Sequence, residues 1–322
     1  MIPQSRIYVA GHRGLAGSAI VRRLERGGYR NLLLRSHAEL ELTDQRAVRD
    51  FFEQEKPDYV ILAAAKVGGI LANNTFPAEF IFSNLAIQTN VIHESWRTGV
   101  KRLLFLGSSC IYPRDCAQPI KEEYLLTGPL ESTNRPYAIA KIAGIEMCWS
   151  YNRQYGTQFL AAMPTNLYGP GDNYELNSSH VLPALIRKMH EAKTREDNEV
   201  VVWGTGTPRR EFLHSDDMAD ACVHLLSLPE PAFGTLFTET EPPLVNIGSG
   251  EDLTIAELAE TVAPIVGFRG ELRYDASKPD GTPRKLLDVN NLQSLGWRAQ
   301  TLFQLGIEHA YRDFLSASSL RS

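Results

Sequence analysis

The sequence predicts an α/β fold, a doubly wound parallel sheet with a smaller C-terminal α/β lobe. Three observations predict it. The chain opens on a short apolar run, Arg6 to Ala10, that passes through a glycine-rich turn into a helical stretch. Strand-like and helical stretches then alternate up to about residue 170, the order that builds a parallel sheet with crossover helices. The strand-like runs end in small or hydroxyl residues, Ala63-Ala64-Ala65 and Gly107-Ser108-Ser109. The carboxyl edge of such a sheet needs small residues where a ligand lies flat against it.

Arg6 to Ala10 reads as a buried strand, and Gly11-His12-Arg13-Gly14-Leu15-Ala16-Gly17 turns the chain into a helix through Glu25. Glycines at this spacing leave backbone amides and a helix N-terminus open to a pyrophosphate. The same pattern serves a plain tight turn, but its place on the first strand favours a dinucleotide. The second strand, 31–34, ends in Arg35-Ser36-His37, and no acid follows until Glu39. An acid there would accept from a ribose 2′-hydroxyl, whereas Arg35, His37 and Arg13 suit a 2′-phosphate. The expected cofactor is therefore NADP. Leu42-Thr43-Asp44 opens a helix with Asp44 as its cap. A strand over 59–65, a helix over 77–98 and a strand over 102–106 complete the alternation.

Pro136 to Lys141 begins a helix that runs to Trp149, and it places Tyr137 and Lys141 four apart on one face. A phenol titrates near pH 10, too high for proton exchange at neutrality, and an ammonium one turn away lowers that value. Alone, the pair is equally a solvated helix face. Ser108, in the loop after the preceding strand, completes a Ser-Tyr-Lys set behind the glycine turn. That order makes Tyr137 the expected proton donor. The first 170 residues, with some later strands, thus read as a Rossmann-type NADP domain. Residues 171–322 read mainly as a substrate-binding lobe, with a surface loop at 228–243, helices at 255–265 and 302–314, and a frayed tail from Ser316.

The 322 residues are 43% hydrophobic and 22% charged, enough for a sizeable core. A formal charge of −5 gives no reason to expect nucleic acid or an anionic membrane as partner. Cys110, Cys116, Cys148 and Cys222 follow neither zinc spacing nor a disulfide framework, so no metal is expected. No signal peptide precedes the first strand and no apolar run reaches membrane length, so the expected compartment is the cytoplasm.

Several stretches together resemble the extended short-chain dehydrogenase/reductase family, in its nucleotide-sugar branch. They are Gly11 to Gly14, Ala63 to Asn74, Gly107 to Pro113, Pro136 to Gly144, Met163 to Pro170, Arg210 to His214 and Asp275 to Asp288. Within that branch they are most similar to the enzymes that epimerise GDP-4-keto-6-deoxymannose at C3 and C5 and reduce it at C4 with NADPH. The resemblance implies Cys110 as the epimerisation base and His180 as the acid. Tyr137 would donate to O4, Ser108 would hold that oxygen, and Lys141 would tune Tyr137. Further cofactor contacts are implied at Ala64, at Leu106-Gly107-Ser108-Ser109, at Pro164-Thr165-Asn166-Leu167 and at His180. Substrate contacts are implied at Lys188, Trp203, Arg210 and Asp280, and relatives of this type pair as homodimers. A dehydratase would carry an Asp-Glu pair where Cys110 and Ile111 stand. A simple 4-epimerase would carry an acid after the second strand, and a catalytically silent regulator would lack Tyr137 or Lys141.

Overall fold

The structure of the chain, a computed structural model, describes residues 1–176, 178–278 and 280–319. In chain order its strands are β1 (Ile7–Ala10), β2 (Leu32–Leu33), β3 (Tyr59–Leu62), β4 (Arg102–Leu106), β5 (Phe159–Pro164), β6 (Asn166–Tyr168), β7 (Glu199–Trp203), β8 (Arg209–His214), β9 (Leu244–Ile247), β10 (Asp252–Thr254), β11 (Glu271–Asp275) and β12 (Arg284–Lys285). Its helices are α1 (Leu15–Arg26), α2 (Gln45–Glu55), α3 (Ile70–Thr75), α4 (Pro77–Arg97), α5 (Arg135–Tyr155), α6 (Val181–Arg195), α7 (Ser215–Ser227), α8 (Glu230–Gly234), α9 (Ile255–Val266), α10 (Asn290–Ser294) and α11 (Phe303–Ser319).

Strands that are apolar on both faces need cover on both, and here they have it. The parallel sheet runs β2-β1-β3-β4-β5-β9. Tyr8 and Ala10 of β1 face one core, which also holds Phe52 of α2, Val91 of α4 and Ile145 of α5. Ile7 and Val9 face the other, with Ile20 of α1 and Met218 of α7. The strand order reverses between β1 and β3, and the carboxyl ends on either side of that point open the crevice where open α/β sheets bind ligands. A third core, with Leu185, Leu258 and Ile307, lies among α6, α9 and α11. Beside it β8 pairs with β6, β10 and β12, and β7 pairs with β11.

Local chemistry explains the element ends. The Asp44 carboxylate accepts from the Arg46 and Ala47 amides at 2.9 and 3.1 Å and so caps α2. Where the sequence predicts a loop over 228–243, the structure adds α8. Its anchor is Arg102, which donates to the Leu226 and Leu228 carbonyls, pairs with Glu230 at 2.8 Å and stacks 3.8 Å above the Phe233 ring. The predicted fraying at Ser316 gives way to helix as far as Ser319, and 320–322 lie outside the described residues.

Helix α5 can lie close on the sheet because of Gly144. A Cβ there would stand 2.5 Å from the Phe105 ring of β4. Gln88 of α4 secures the same helix by donating to the Ala140 carbonyl at 2.6 Å. Gly144→Ala should therefore destabilise the fold by about 1–3 kcal/mol through overpacking. Calorimetry that finds an unchanged melting temperature would contradict this account of how α5 is seated.

Candidate active site

Helix α5 starts at Arg135, with Pro136 in its first turn, and carries Tyr137 half-buried and Lys141 3% exposed. The Lys141 Nζ donates to the Leu106 carbonyl at 2.7 Å and lies 4.7 Å from the Phe105 ring and 5.8 Å from the Tyr137 ring. Burial pushes Lys141 down to about 8. It also pushes the Tyr137 phenol well above its ordinary value, with Cys110 adding to the rise and the Ser108 hydroxyl opposing it. The acidification expected from Lys141 does not show in the shift, whose largest cause is burial. A phenol that holds its proton firmly is in the form needed to donate it.

Ser108 closes β4 and caps the single turn Ser109–Ile111, its hydroxyl accepting from the Cys110 amide at 3.4 Å. The hydroxyl also neighbours the Tyr137 phenol and the Cys110 thiol. Cys110 is 7% exposed. Burial pushes its thiol up, and Lys285, Ser108 and Lys141 pull it back only in part. His180 is exposed at the N-cap of α6 but makes no side-chain capping bond there, so capping does not account for it. Desolvation and the Lys285 charge push its imidazole down. At rest the pair is therefore a thiol and a neutral imidazole, where the expected roles begin from a thiolate and an imidazolium.

The glycine turn fits a dinucleotide. A Cβ at Gly11 (φ +84°) would stand 2.7 Å from the Ala64 backbone, and one at Gly17 would stand 2.1 Å from the Gly11 carbonyl. Gly14 caps α1 without a side chain, so no capping side chain occupies the first-turn amides of Leu15 and Ala16. The His12 Nδ1 is buried and has no partner among the described residues. At the ends of β4 and β5, Leu106, Ser109, Pro164 and Thr165 are buried, with Ala64, Asn166 and Leu167 half-buried. A Cβ on Gly107 would run into the Met163 side chain at 2.0 Å. Arg35 pairs with Glu55 at 2.6 Å and lies over Phe51, while His37 is 88% exposed and pairs with Glu41. Arg13 is exposed and has no ion pair among the described residues.

In the second lobe, Trp203 is 61% exposed, with the Lys188 Nζ 4.9 Å and the Lys278 Nζ 5.5 Å from its ring. Arg210 is half-buried and electrostatically coupled to Asp280. The Asp280 carboxylate accepts from the Thr205 amide and hydroxyl at 2.7 and 2.9 Å, so in this state Thr205 engages it. Among the described residues no group of His, Cys, Asp or Glu could hold a metal ion, and no helix is long and apolar enough to cross a membrane.

The sequence profile of the NAD dependent epimerase/dehydratase family matches residues 7–237. The chain is 59% identical over 311 residues to GDP-L-fucose synthase 1 of Arabidopsis thaliana, covering 97% of this chain and 93% of the relative. It is 55% identical over 314 residues to GDP-L-fucose synthase of Escherichia coli (strain K12), covering 97% of both. The chain belongs to the NAD dependent epimerase/dehydratase family, among its GDP-L-fucose synthases. Among solved structures it resembles MlghC, GDP-mannoheptose C4 reductase from Campylobacter jejuni with NADP bound. The TM-score is 0.88 at 41% identity, over 98% of this chain and 99% of that one.

Sequence reasoning about the family missed Lys285. It lies on β12, whose register places it opposite Arg210 of β8. Beyond it the chain is stitched to the loop after Cys110, where the Gln118 side chain accepts from the Leu286 amide at 2.8 Å and the Ile120 amide donates to the Leu286 carbonyl at 2.7 Å. The ammonium acts on Cys110, His180 and Arg210 together. The stretch Asp275 to Asp288 signals the family, but nothing local in it says which lysine turns towards the thiol.

The Lys141 ammonium carries a pH prediction. Proton donation leaves a buried phenolate on Tyr137, which that charge offsets. Below about pH 8 the charge is present, and it is lost as pH rises through that value. Ketone reduction should decline across the same range, and Lys141→Arg, which keeps its proton, should move the decline to higher pH. A wild-type pH–rate profile that stays flat there would contradict the role.

Proposed function

We propose that the chain converts GDP-4-keto-6-deoxy-D-mannose to GDP-L-fucose in one cleft, epimerising C3 and C5 and then reducing C4. The observation that supports it most is the neighbourhood of Cys110, a thiol beside Ser108, Tyr137 and Lys285. A C4 ketone acidifies the protons at C3 and C5. Each inversion needs a base on one face of the sugar, an acid on the other, and donors at O4 for the enolate between them. Tyr137 and Ser108 are the proposed donors at O4 throughout. Cys110 and His180 are the proposed base and acid, working as thiolate and imidazolium after one proton passes from thiol to imidazole. Lys285 favours the thiolate, while burial disfavours the charged thiol and desolvation with the Lys285 charge disfavours the imidazolium, so the working pair is a minor state.

The proposed cofactor is NADP, bound along Gly11 to Gly17 and the ends of β3, β4 and β5. When bound in reduced form it supplies the hydride for C4. The proposed partners of a 2′-phosphate are Arg13, Arg35 and His37, of which Arg35 also pairs with Glu55 and Arg13 has no ion pair among the described residues. The proposed contacts to the GDP-sugar are Lys188, Trp203, Arg210 and Asp280, with Asp280 releasing Thr205 to reach a hydroxyl. Pairing of two copies through α4 and α5 belongs to the same reading, supported by Phe82 and Ile139 standing 68% and 38% exposed on those helices. Light scattering that gives the mass of one chain would remove it. The test of the activity is direct: purified protein mixed with NADPH and GDP-4-keto-6-deoxymannose should consume the NADPH. Absorbance that stays constant would refute the reading.

A further inference from the structure

We propose that Glu211 is a positioning residue, whose buried carboxylate locks the strands carrying Arg210 and Lys285 to the carboxyl edge of the dinucleotide sheet. The proposal rests on the reading that this cleft handles a GDP-sugar. Glu211 lies on β8 and is 0% exposed. A carboxylate taken so far from water needs partners, and among the described residues it has no ion pair. Its partners are donors from separate segments. One oxygen accepts from the Leu287 amide at 3.0 Å, two residues beyond Lys285. The other accepts from the Gly250 amide at 2.8 Å and the Ser249 hydroxyl at 3.4 Å, in the loop after β9. The Glu211 carbonyl accepts from the Asn166 side chain at 2.8 Å and the Thr165 hydroxyl at 3.3 Å, at the end of β5.

One residue thus joins β8 and the chain after β12 to the ends of β5 and β9. The joint has work to do because Arg210 and Lys285 are register partners, and like charges side by side repel. Holding the chain beside both, through Glu211 on β8 and Leu287 two residues beyond Lys285, keeps that repulsion from parting them. Gly248 abuts the carboxylate closely: a Cβ there would stand 2.2 Å from its Oε1. The site therefore accepts a carboxylate of this length from one side and only a glycine from the other.

Glu211→Gln tests this, since the amide keeps the volume but must turn its NH₂ group against one of the backbone donors. Gly248→Ala pushes on the carboxylate from the opposite side and carries the same test should the first variant not fold. Hydrogen exchange should rise about tenfold or more in segments 209–214, 248–252 and 284–289 and stay unchanged over 7–26. The kcat/KM for the GDP-ketosugar should fall on the order of 10- to 100-fold, with KM for NADPH held within about twofold. Unchanged exchange overturns the joint. Altered exchange with unchanged kcat/KM, or KM for NADPH rising in step with that for the sugar, overturns the positioning role. Wild-type protein inert towards the GDP-ketosugar sinks the functional reading and the positioning role with it, while the exchange result still decides whether the joint exists.

Discussion

Tyr137→Phe should lower the rate of ketone reduction by about 100- to 10,000-fold, the usual span for losing a positioned proton donor. The substitution removes one hydroxyl from a ring that keeps its packing against Phe80, at 6.4 Å between centroids, so the fold should hold. NADPH affinity should survive, because the cofactor is proposed to be held by the glycine turn and the strand ends. Single-turnover reduction and a separate NADPH titration check the two halves. Reduction at the wild-type rate would remove Tyr137 from the chemistry, and lost NADPH binding would make its role structural.

For Cys110→Ser we expect proton exchange at C3 and C5 to fall by a similar factor, because a hydroxyl is a far weaker base than a thiolate. The pH dependence of that exchange is itself informative. Burial raises the Cys110 thiol above its ordinary value, and desolvation with the Lys285 charge lowers the His180 imidazole. When a base titrates above its partner acid, the fraction of molecules in the thiolate–imidazolium state is constant between the two values. Exchange should then be flat from below pH 6.5, the ordinary imidazole value from which His180 is displaced, up to about pH 8, where Lys141, which also favours the thiolate, loses its charge. Reduction shares the decline through about pH 8 but lacks the acid-side fall that His180 imposes on exchange. Deuterium exchange followed by NMR, with NADPH consumption in parallel, separates the two steps. Coincident pH profiles would contradict separate groups for epimerisation and reduction.

What could be read from the sequence was local or periodic. Tyr137 and Lys141 share a helix face because four residues make about one turn, and nothing elsewhere in the chain alters that. Asp44 caps its helix through amides two and three residues away. The glycine turn announces itself because Gly11 and Gly17 answer to backbone only a few positions off, in addition to Ala64. The direction of the Tyr137 shift was not legible, since desolvation comes from segments far apart in the chain. The same holds for Arg35, whose commitment to Glu55 depends on how α2 packs beside β2. Lys285 and Glu211 were hidden for a related reason: each acts through the register of β8 against β12, a tertiary pairing that short-range patterns do not encode.

The central claim is that one cleft moves protons at C3 and C5 and then delivers a hydride to C4 of the same sugar. Running the reaction in deuterated water with unlabelled NADPH tests it most directly, with the product read by NMR. The account predicts deuterium on C3 and C5 and ordinary hydrogen on C4. A reduced sugar with ordinary hydrogen at C3 and C5, or with deuterium at C4, would contradict it.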